Sequence, residues 1–142
     1  MTLRQVEKTI GEHRYRTTLL DTFTGINVAT RITTKVGEAL KAGDVEHAER
    51  ILGDFLAKLT TDEVRFYVDV FAKQTEIVQA DGKTPFLKDN LLFHFSGRYG
   101  EMIAWLAWCF EVNFADFFAM VRERAAPLVM QMVVSKSVSP SS

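Results

Sequence analysis

The most restrictive feature of this sequence is an aromatic, apolar stretch over residues 94–118, HFSGRYGEMIAWLAWCFEVNFADFF. It holds eight of the sixteen Phe, Trp and Tyr residues in a chain of 142. From residue 102 to residue 112 the stretch is apolar on almost every side, and a helix with that pattern is normally buried on all sides. Any fold of this chain must therefore cover a large amount of rigid apolar surface.

Two interpretations of the aromatic stretch follow. Its helix is either the central element of the core, or part of it faces another protein chain, because a domain of this size has few layers with which to cover every face. Trp, Phe and Met are also enriched in the buried centres of interfaces. A partner or self-association surface is therefore predicted from whatever the monomer leaves uncovered of Trp105, Trp108, Phe114, Phe117, Phe118, Met130 and Met132.

Length and charge limit the possible classes of protein. The length suits one domain, and a formal net charge of −1 provides no overall field that attracts nucleic acid or an anionic membrane. No stretch reaches the roughly 20 apolar residues of a membrane span, and the charged N-terminal segment does not resemble a signal peptide. The single cysteine, Cys109, lies in an apolar run and suits a reducing cytosol. We expect a soluble, intracellular protein without a nucleic-acid or membrane partner.

Hydrophobic periodicity predicts a mainly α fold, namely a compact helical domain over residues 1–134 with a small N-terminal β-hairpin. Two extended runs around Gly11 form the hairpin, and from Phe23 onwards apolar residues such as Ile26 and Ile32 recur every three or four positions. The predicted elements are a hairpin at about 5–19, helices at about 23–41, 44–59, 61–74, 97–112 and 114–125, and a disordered tail at 135–142.

Several local signals set the boundaries of these elements. Thr60 and Glu63 have the spacing of a capping box at the start of a helix. Asp81 and Pro85 interrupt the helical pattern, so residues 77–88 are predicted to be a loop or a small hairpin. Asn113 is predicted to be the N-cap of the last helix, which makes residues 97–125 two helices with a short joint. Residues 128–134 are apolar with no clear period.

Catalytic and metal-binding patterns are weak in this sequence. The three histidines, His13, His47 and His94, are far apart, and none has a second His or Cys at three- or four-residue spacing. Cys109 lies in a run that reads as buried, and Ser96 lacks the flanking residues of a nucleophile elbow. The sequence therefore predicts no metal site, no cofactor and no enzymatic activity.

The segment Gly97-Arg98-Tyr99-Gly100 allows two interpretations. A G-x-x-G turn with a basic residue can bring backbone N–H groups close to a nucleic-acid backbone. The acidic residue that follows, Glu101, and the tryptophan-rich helix favour a structural role instead. In that role the two glycines let helices cross closely and Arg98 pairs with a nearby acid.

The same aromatic stretch resembles the C-terminal signature of tail assembly chaperones of long-tailed bacteriophages. The shared elements, in order, are the pair His94-Phe95, a glycine-arginine turn at 96–100, an aromatic helix at 102–110 and the segment EVNFADFF at 111–118. Residues 8–20 and 60–78 resemble the family more loosely.

This resemblance implies a non-enzymatic, mostly helical protein of the infected host's cytoplasm that is absent from the mature virion. It implies binding to the tape measure protein, which the chaperone keeps soluble, help in recruiting tail tube protein, and self-association into a homo-oligomer. Two alternatives remain at this point. One is a structural tail or baseplate component, and the other is a small nucleic-acid-binding regulatory module that uses the turn from Gly97 to Gly100.

Overall fold

A computed structural model describes residues 3–41 and 55–117, with side chains 35–41 excepted. By their contacts the residues group into two compact units, one formed by residues 1–26 and 59–113 and the other by residues 27–58 and 114–142. The single domain predicted over residues 1–134 stays a prediction. The predicted helix at 44–59 lies outside the described residues except for 55–59, of which only 55–57 are helical. The segments at 118–125 and 128–134 and the tail at 135–142 also lie outside the described residues.

The first unit begins with an antiparallel sheet. Strands β1 (Gln5–Ile10) and β2 (His13–Thr18) form the predicted hairpin, and Gly11 supplies the positive φ of +60° in its turn. A third strand, β3 (Thr75–Val78), pairs antiparallel with β2. The sheet is therefore larger than the predicted hairpin. Strand β3 was not predicted because four residues are too few for hydrophobic periodicity to distinguish a strand from the loop predicted to start at residue 77.

Two helices have clear sequence signals at their starts. Helix α1 (Thr22–Lys41) follows Asp21, and helix α2 (Thr61–Ala72) follows a complete capping box between Thr60 and Glu63. The apolar stripe predicted for α1 is wrong at its start, because Phe23 and Ile26 are exposed. The α1 side chains that are buried are Val28 and Ile32.

The remaining helices differ from the prediction. Helix α3 (Leu87–His94) was predicted as part of a loop and the segment after it; it starts two residues after Pro85 and buries Leu87. Helix α4 covers residues 99–117 without interruption, so the joint predicted at Asn113 is wrong. The Asn113 side chain donates a hydrogen bond from Nδ2 to the Cys109 carbonyl oxygen four residues earlier, and its Oδ1 accepts from the Leu20 N–H. These two bonds hold the residue inside the helix instead of at its start.

The core of the first unit is built around α4. Trp105, Leu106 and Phe110 are fully buried, and the Phe110 ring makes edge-to-face contacts with Tyr67 and Phe71 of α2, each with ring centroids 5.1 Å apart. Of the two interpretations of this helix, the burial of these side chains favours the one that makes it a central core element. None of the helices among the described residues is long and apolar enough to span a membrane.

Candidate functional site

Three of the seven residues in the predicted partner surface are buried. Trp105, Trp108 and Phe114 are 0%, 5% and 5% exposed, so in this conformation these three side chains offer no surface to another chain. The expectation that a domain of few layers leaves part of this helix uncovered therefore does not hold for these three side chains. Phe117 is partly exposed, and Phe118, Met130 and Met132 lie outside the described residues. For these four residues the assignment stays a prediction.

Other large apolar side chains are exposed instead. On α3, Leu92 is 87% exposed and Phe93 is 82% exposed, and Phe86 lies just before this helix at 40%. Near the start of α4, Tyr99 and Ile103 are 66% and 44% exposed. These residues were not among those predicted to be exposed, because the run LLFHF was interpreted as leading into the next helix. An apolar run that lies close to a proline and a glycine is nevertheless a signal for a short element.

A cluster of polar side chains lies where the sheet meets α3 and α4. His13 and Tyr15 are two residues apart on β2 and therefore share one face of the strand. His94 ends α3, and Arg98 and Glu101 lie three residues apart at the start of α4. We call these five residues the polar cluster.

Glu101 makes most of the contacts in the polar cluster. Its Oε2 accepts a hydrogen bond from the Tyr15 hydroxyl group at 2.6 Å and lies 3.0 Å from His13 Nδ1 and 3.2 Å from Arg98 Nη1. The Tyr15 oxygen is also 2.6 Å from His94 Nε2. Since the single hydroxyl hydrogen goes to Glu101, the His94 N–H donates to the Tyr15 oxygen.

The hairpin turn approaches this carboxylate closely. A Cβ atom added to Gly11 would lie 2.3 Å from Glu101 Oε1, far inside van der Waals contact. Gly11 also has a φ of +60°, where side chains other than glycine are strained. The turn therefore needs glycine both for its backbone and for the space that Glu101 occupies.

The protonation states in the polar cluster follow from burial and charge. Burial, aided by the charges of His13 and Arg98, lowers the pKa of His94 to about 4, so this imidazole is neutral at pH 7. Burial and the Glu101 hydrogen bond raise the pKa of Tyr15. Burial pushes the pKa of Glu101 up, but the Tyr15 hydrogen bond and the charges of His13 and Arg98 outweigh it, and the net shift is downward. The carboxylate is therefore ionised.

Arg98 points inward, towards the polar cluster. Its Nη2 donates to the His94 carbonyl oxygen, and its Nη1 contacts Glu101, so the prediction that Arg98 pairs with an acid is confirmed. The close helix crossing predicted at Gly97 and Gly100 is wrong, because among the described residues a Cβ at either position would meet no atom within 4 Å. Gly97 is needed for its φ of +76°. With Arg98 engaged in this way, the turn lacks the outward basic side chain that a phosphate contact requires.

An open cleft of about 500 Å³ lies beside the polar cluster. It is bounded by the start of β2, the end of β3, the turn at residues 79–85 and one side of α3. His13 and His94 form part of its wall, and the exposed ring of Phe93 lies at the same wall. The polar cluster is therefore reachable from solvent through this cleft.

Comparison with known families identifies the chain. A sequence model for the phage tail assembly chaperone protein family matches residues 11–125, a span that includes the polar cluster and the aromatic helix. The chain belongs to this family. No curated protein and no solved structure matches the chain.

This tail assembly chaperone belongs to a kind of family that is typically non-enzymatic and acts together with tail proteins. The fold of the chaperone nevertheless brings the His13 and His94 rings to a centroid distance of 4.7 Å, although 80 residues separate them in sequence. Spacing along the chain was the basis for expecting no metal site, and it carries no information about such long-range pairs.

Proposed function

We propose that this chaperone binds the tape measure protein of its phage, keeps that protein soluble before the tail tube surrounds it, and helps to recruit tail tube subunits. Family membership over residues 11–125 is the observation that carries the proposal. The exposed apolar side chains of α3 add physical support, since Leu92 and Phe93 are almost fully accessible.

The chemistry of such a client suits exposed apolar side chains. A long helical chain with apolar stripes aggregates unless those stripes are covered, and a binding surface that recognises apolar character tolerates many different client sequences. Several chaperone copies along one client add avidity without a strong single contact. Weak, repeated contacts also allow the tail tube subunits to displace the chaperone.

Two separate groups of residues, one in each unit, are proposed to contact clients. Leu92 and Phe93 contribute from α3, and the positions carried over from the sequence prediction are Phe117, Phe118, Met130 and Met132. The predicted contacts of Trp105, Trp108 and Phe114 require the interior of the protein to open first. Self-association, a host-cytoplasmic location and absence from the mature virion belong to the same proposal.

Co-expression tests this proposal. The tape measure protein is produced with the wild-type chaperone, with a Leu92→Ser/Phe93→Ser variant, or alone, and its soluble fraction is measured. We expect the wild type to raise the soluble fraction strongly and the double variant to lose most of that effect. The matched control is Phe23→Ser on α1, where a side chain that is 84% exposed is replaced outside α3.

Two results contradict the proposed function. One is a tape measure protein whose solubility is the same with and without the wild-type chaperone. The other is recovery of the chaperone from purified virions in amounts comparable with tail components, which identifies a structural tail component instead.

A further inference from the structure

We propose that His13, His94 and Glu101 form a binding site for a divalent transition-metal ion, with Zn²⁺ as the ion that best matches their ligand atoms. This inference concerns the polar cluster and does not depend on how the chaperone binds its clients.

The ligand atoms have suitable types and separations. The nearest ligand atoms of His13, His94 and Glu101 all lie within 4.8 Å of one another, with Glu101 Oε2 at 3.0 Å from His13 Nδ1 and 3.9 Å from His94 Nε2. Zinc bonds of about 2.0–2.1 Å in a tetrahedral arrangement place neighbouring ligands roughly 3.3–3.5 Å apart. Small side-chain adjustments therefore bring the three atoms to bonding distance of one ion, and two imidazoles with one carboxylate are a common zinc ligand set.

Arg98 lies over one face of the His13 ring. Its Nη1 is 2.7 Å from His13 Nδ1 and 3.2 Å from His13 Nε2, so it does not lie along the lone pair of either nitrogen. Glu101 Oε2 lies 3.0 Å from His13 Nδ1, and these two atoms can both present lone pairs to a cation between them.

Tyr15 also occupies space that the ion needs. Its oxygen lies 2.6 Å from His94 Nε2 and 2.6 Å from Glu101 Oε2, so it must move away from Nε2 when that nitrogen binds the ion and the ring hydrogen of His94 moves to Nδ1. Tyr15 can keep its hydrogen bond to Glu101 and orient the carboxylate, as outer partners of metal ligands commonly do.

Arg98 opposes the metal ion and must yield part of its position. Its Nη1 contacts both His13 and Glu101, so a dication and this guanidinium compete for the same place. Its Nη2 bonds to the His94 carbonyl oxygen and can stay there while Nη1 withdraws. The Arg98 side chain is 37% exposed, which leaves it room to turn towards solvent.

The cleft provides the entry path and a place for a fourth ligand. His13 and His94 form part of its wall, so an ion reaches them directly from solvent. Three protein ligands leave one tetrahedral position for water. A bound ion would join the start of β2 to the end of α3 and the first turn of α4.

Metal titration of the full chain tests the site. Zn²⁺ binding is measured by calorimetry, and Co²⁺ is used as a probe because its visible absorption reports tetrahedral coordination. We expect one ion per chain. Loss of an outer partner costs roughly 10–100-fold in affinity, so His13→Asn, His94→Asn and Glu101→Gln should each weaken binding about 100-fold or more. Glu7→Gln, a carboxylate paired with arginines on the same sheet, and His47→Asn, the third histidine, should bind like the wild type.

Arg98→Gln gives a prediction of opposite sign. Removing the competing cation should tighten Zn²⁺ binding several-fold, whereas an ion bound elsewhere would not respond. Circular dichroism without metal checks that each variant folds. If His94→Asn unfolds, His13→Asn and the rise of Tm with Zn²⁺ concentration still decide the matter. The proposal is overturned if the wild type does not bind Zn²⁺, or if binding is unchanged by the loss of His13 and Glu101.

Discussion

Glu101 shows how one partly buried carboxylate can hold several elements of this chaperone together. It contacts Tyr15 and His13 on β2 and Arg98 in the turn before α4, and its other oxygen lies against Gly11 in the hairpin turn. Its side chain is 11% exposed, so hydrogen bonds to it are only weakly screened by water. Substitutions of the residues that contact Glu101 should therefore lower the stability of the fold more than the small number of atoms changed suggests.

Replacement of Gly11 tests this close approach. Gly11→Ala must adopt a strained positive φ and must also push the Glu101 carboxylate away from its partners. Gly82→Ala is the matched control, because Gly82 has a φ of +86° but no atom among the described residues within 4 Å of an added Cβ. We expect Gly82→Ala to lower the free energy of unfolding by about 1 kcal/mol and Gly11→Ala by at least about 1 kcal/mol more, measured by urea denaturation. Equal losses for the two variants contradict the close contact.

At the scale of elements, the start of α1 depends on a charged cap. Asp21 accepts hydrogen bonds from the Thr24 N–H at 2.9 Å and from its hydroxyl group at 2.8 Å. These bonds, led by the one from the Thr24 backbone, lower the pKa of Asp21 below its usual value of 3.8. The ionised carboxylate is therefore more stable in the folded chain than in the unfolded one.

The Asp21 cap predicts a pH dependence with a definite sign. A carboxyl group with a lowered pKa adds stability that is fully present above pH 3.8 and is lost as the pH falls through the lower folded-state pKa. Asp21→Asn keeps an oxygen acceptor but does not ionise there, so its stability should fall less steeply than that of the wild type below pH 4. Thermal unfolding between pH 2 and pH 6 of the two proteins measures the difference. Parallel curves would show that the cap does not carry this effect.

The uninterrupted α4 gives a second prediction for an element. If Asn113 were an N-cap, Asn113→Asp would be tolerated, because Asp caps helices as well as Asn. Inside the helix the same change removes the Nδ2 donor and points a carboxylate oxygen at the Cys109 carbonyl oxygen. We expect Asn113→Asp to lower the free energy of unfolding by about 1–3 kcal/mol in chemical denaturation. A variant as stable as the wild type would restore the joint predicted from sequence.

At the scale of the whole molecule, the aromatic residues divide between interior and surface in a way that the sequence does not show. Trp105, Trp108 and Phe110 of the aromatic stretch are buried, whereas Leu92 and Phe93 of the short α3 are exposed. Under the proposed function, exposed aliphatic and phenyl groups contact the tail proteins and the tryptophans belong to the scaffold.

Tryptophan fluorescence tests this division. Trp105 and Trp108 are the only tryptophans, and both are buried, so emission reports the interior of the chaperone alone. We expect blue-shifted emission and weak quenching by acrylamide in the free protein. Denatured chaperone is the reference for full accessibility. Strong quenching in the native protein would return these side chains to the binding surface predicted from the sequence.

Much of the fold followed from local patterns that the sequence displays. The hairpin around Gly11, the capping box of α2 and the central place of the aromatic helix depend on residues that are near one another in the chain, or on one strongly apolar segment. The signature over residues 94–118 was also enough to indicate the family. Local conformational preferences and the burial of apolar surface act on short stretches, so the structure of such stretches can be predicted from their sequence.

The tertiary structure alone decided the rest. Strand β3 exists because β2 offers it hydrogen bonds, and the Asn113 side chain bonds to the Leu20 N–H and the Cys109 carbonyl oxygen instead of capping a new helix. The polar cluster joins His13 to His94 across 80 residues. Contacts of this kind depend on which elements pack together, and no spacing rule along a single chain records that.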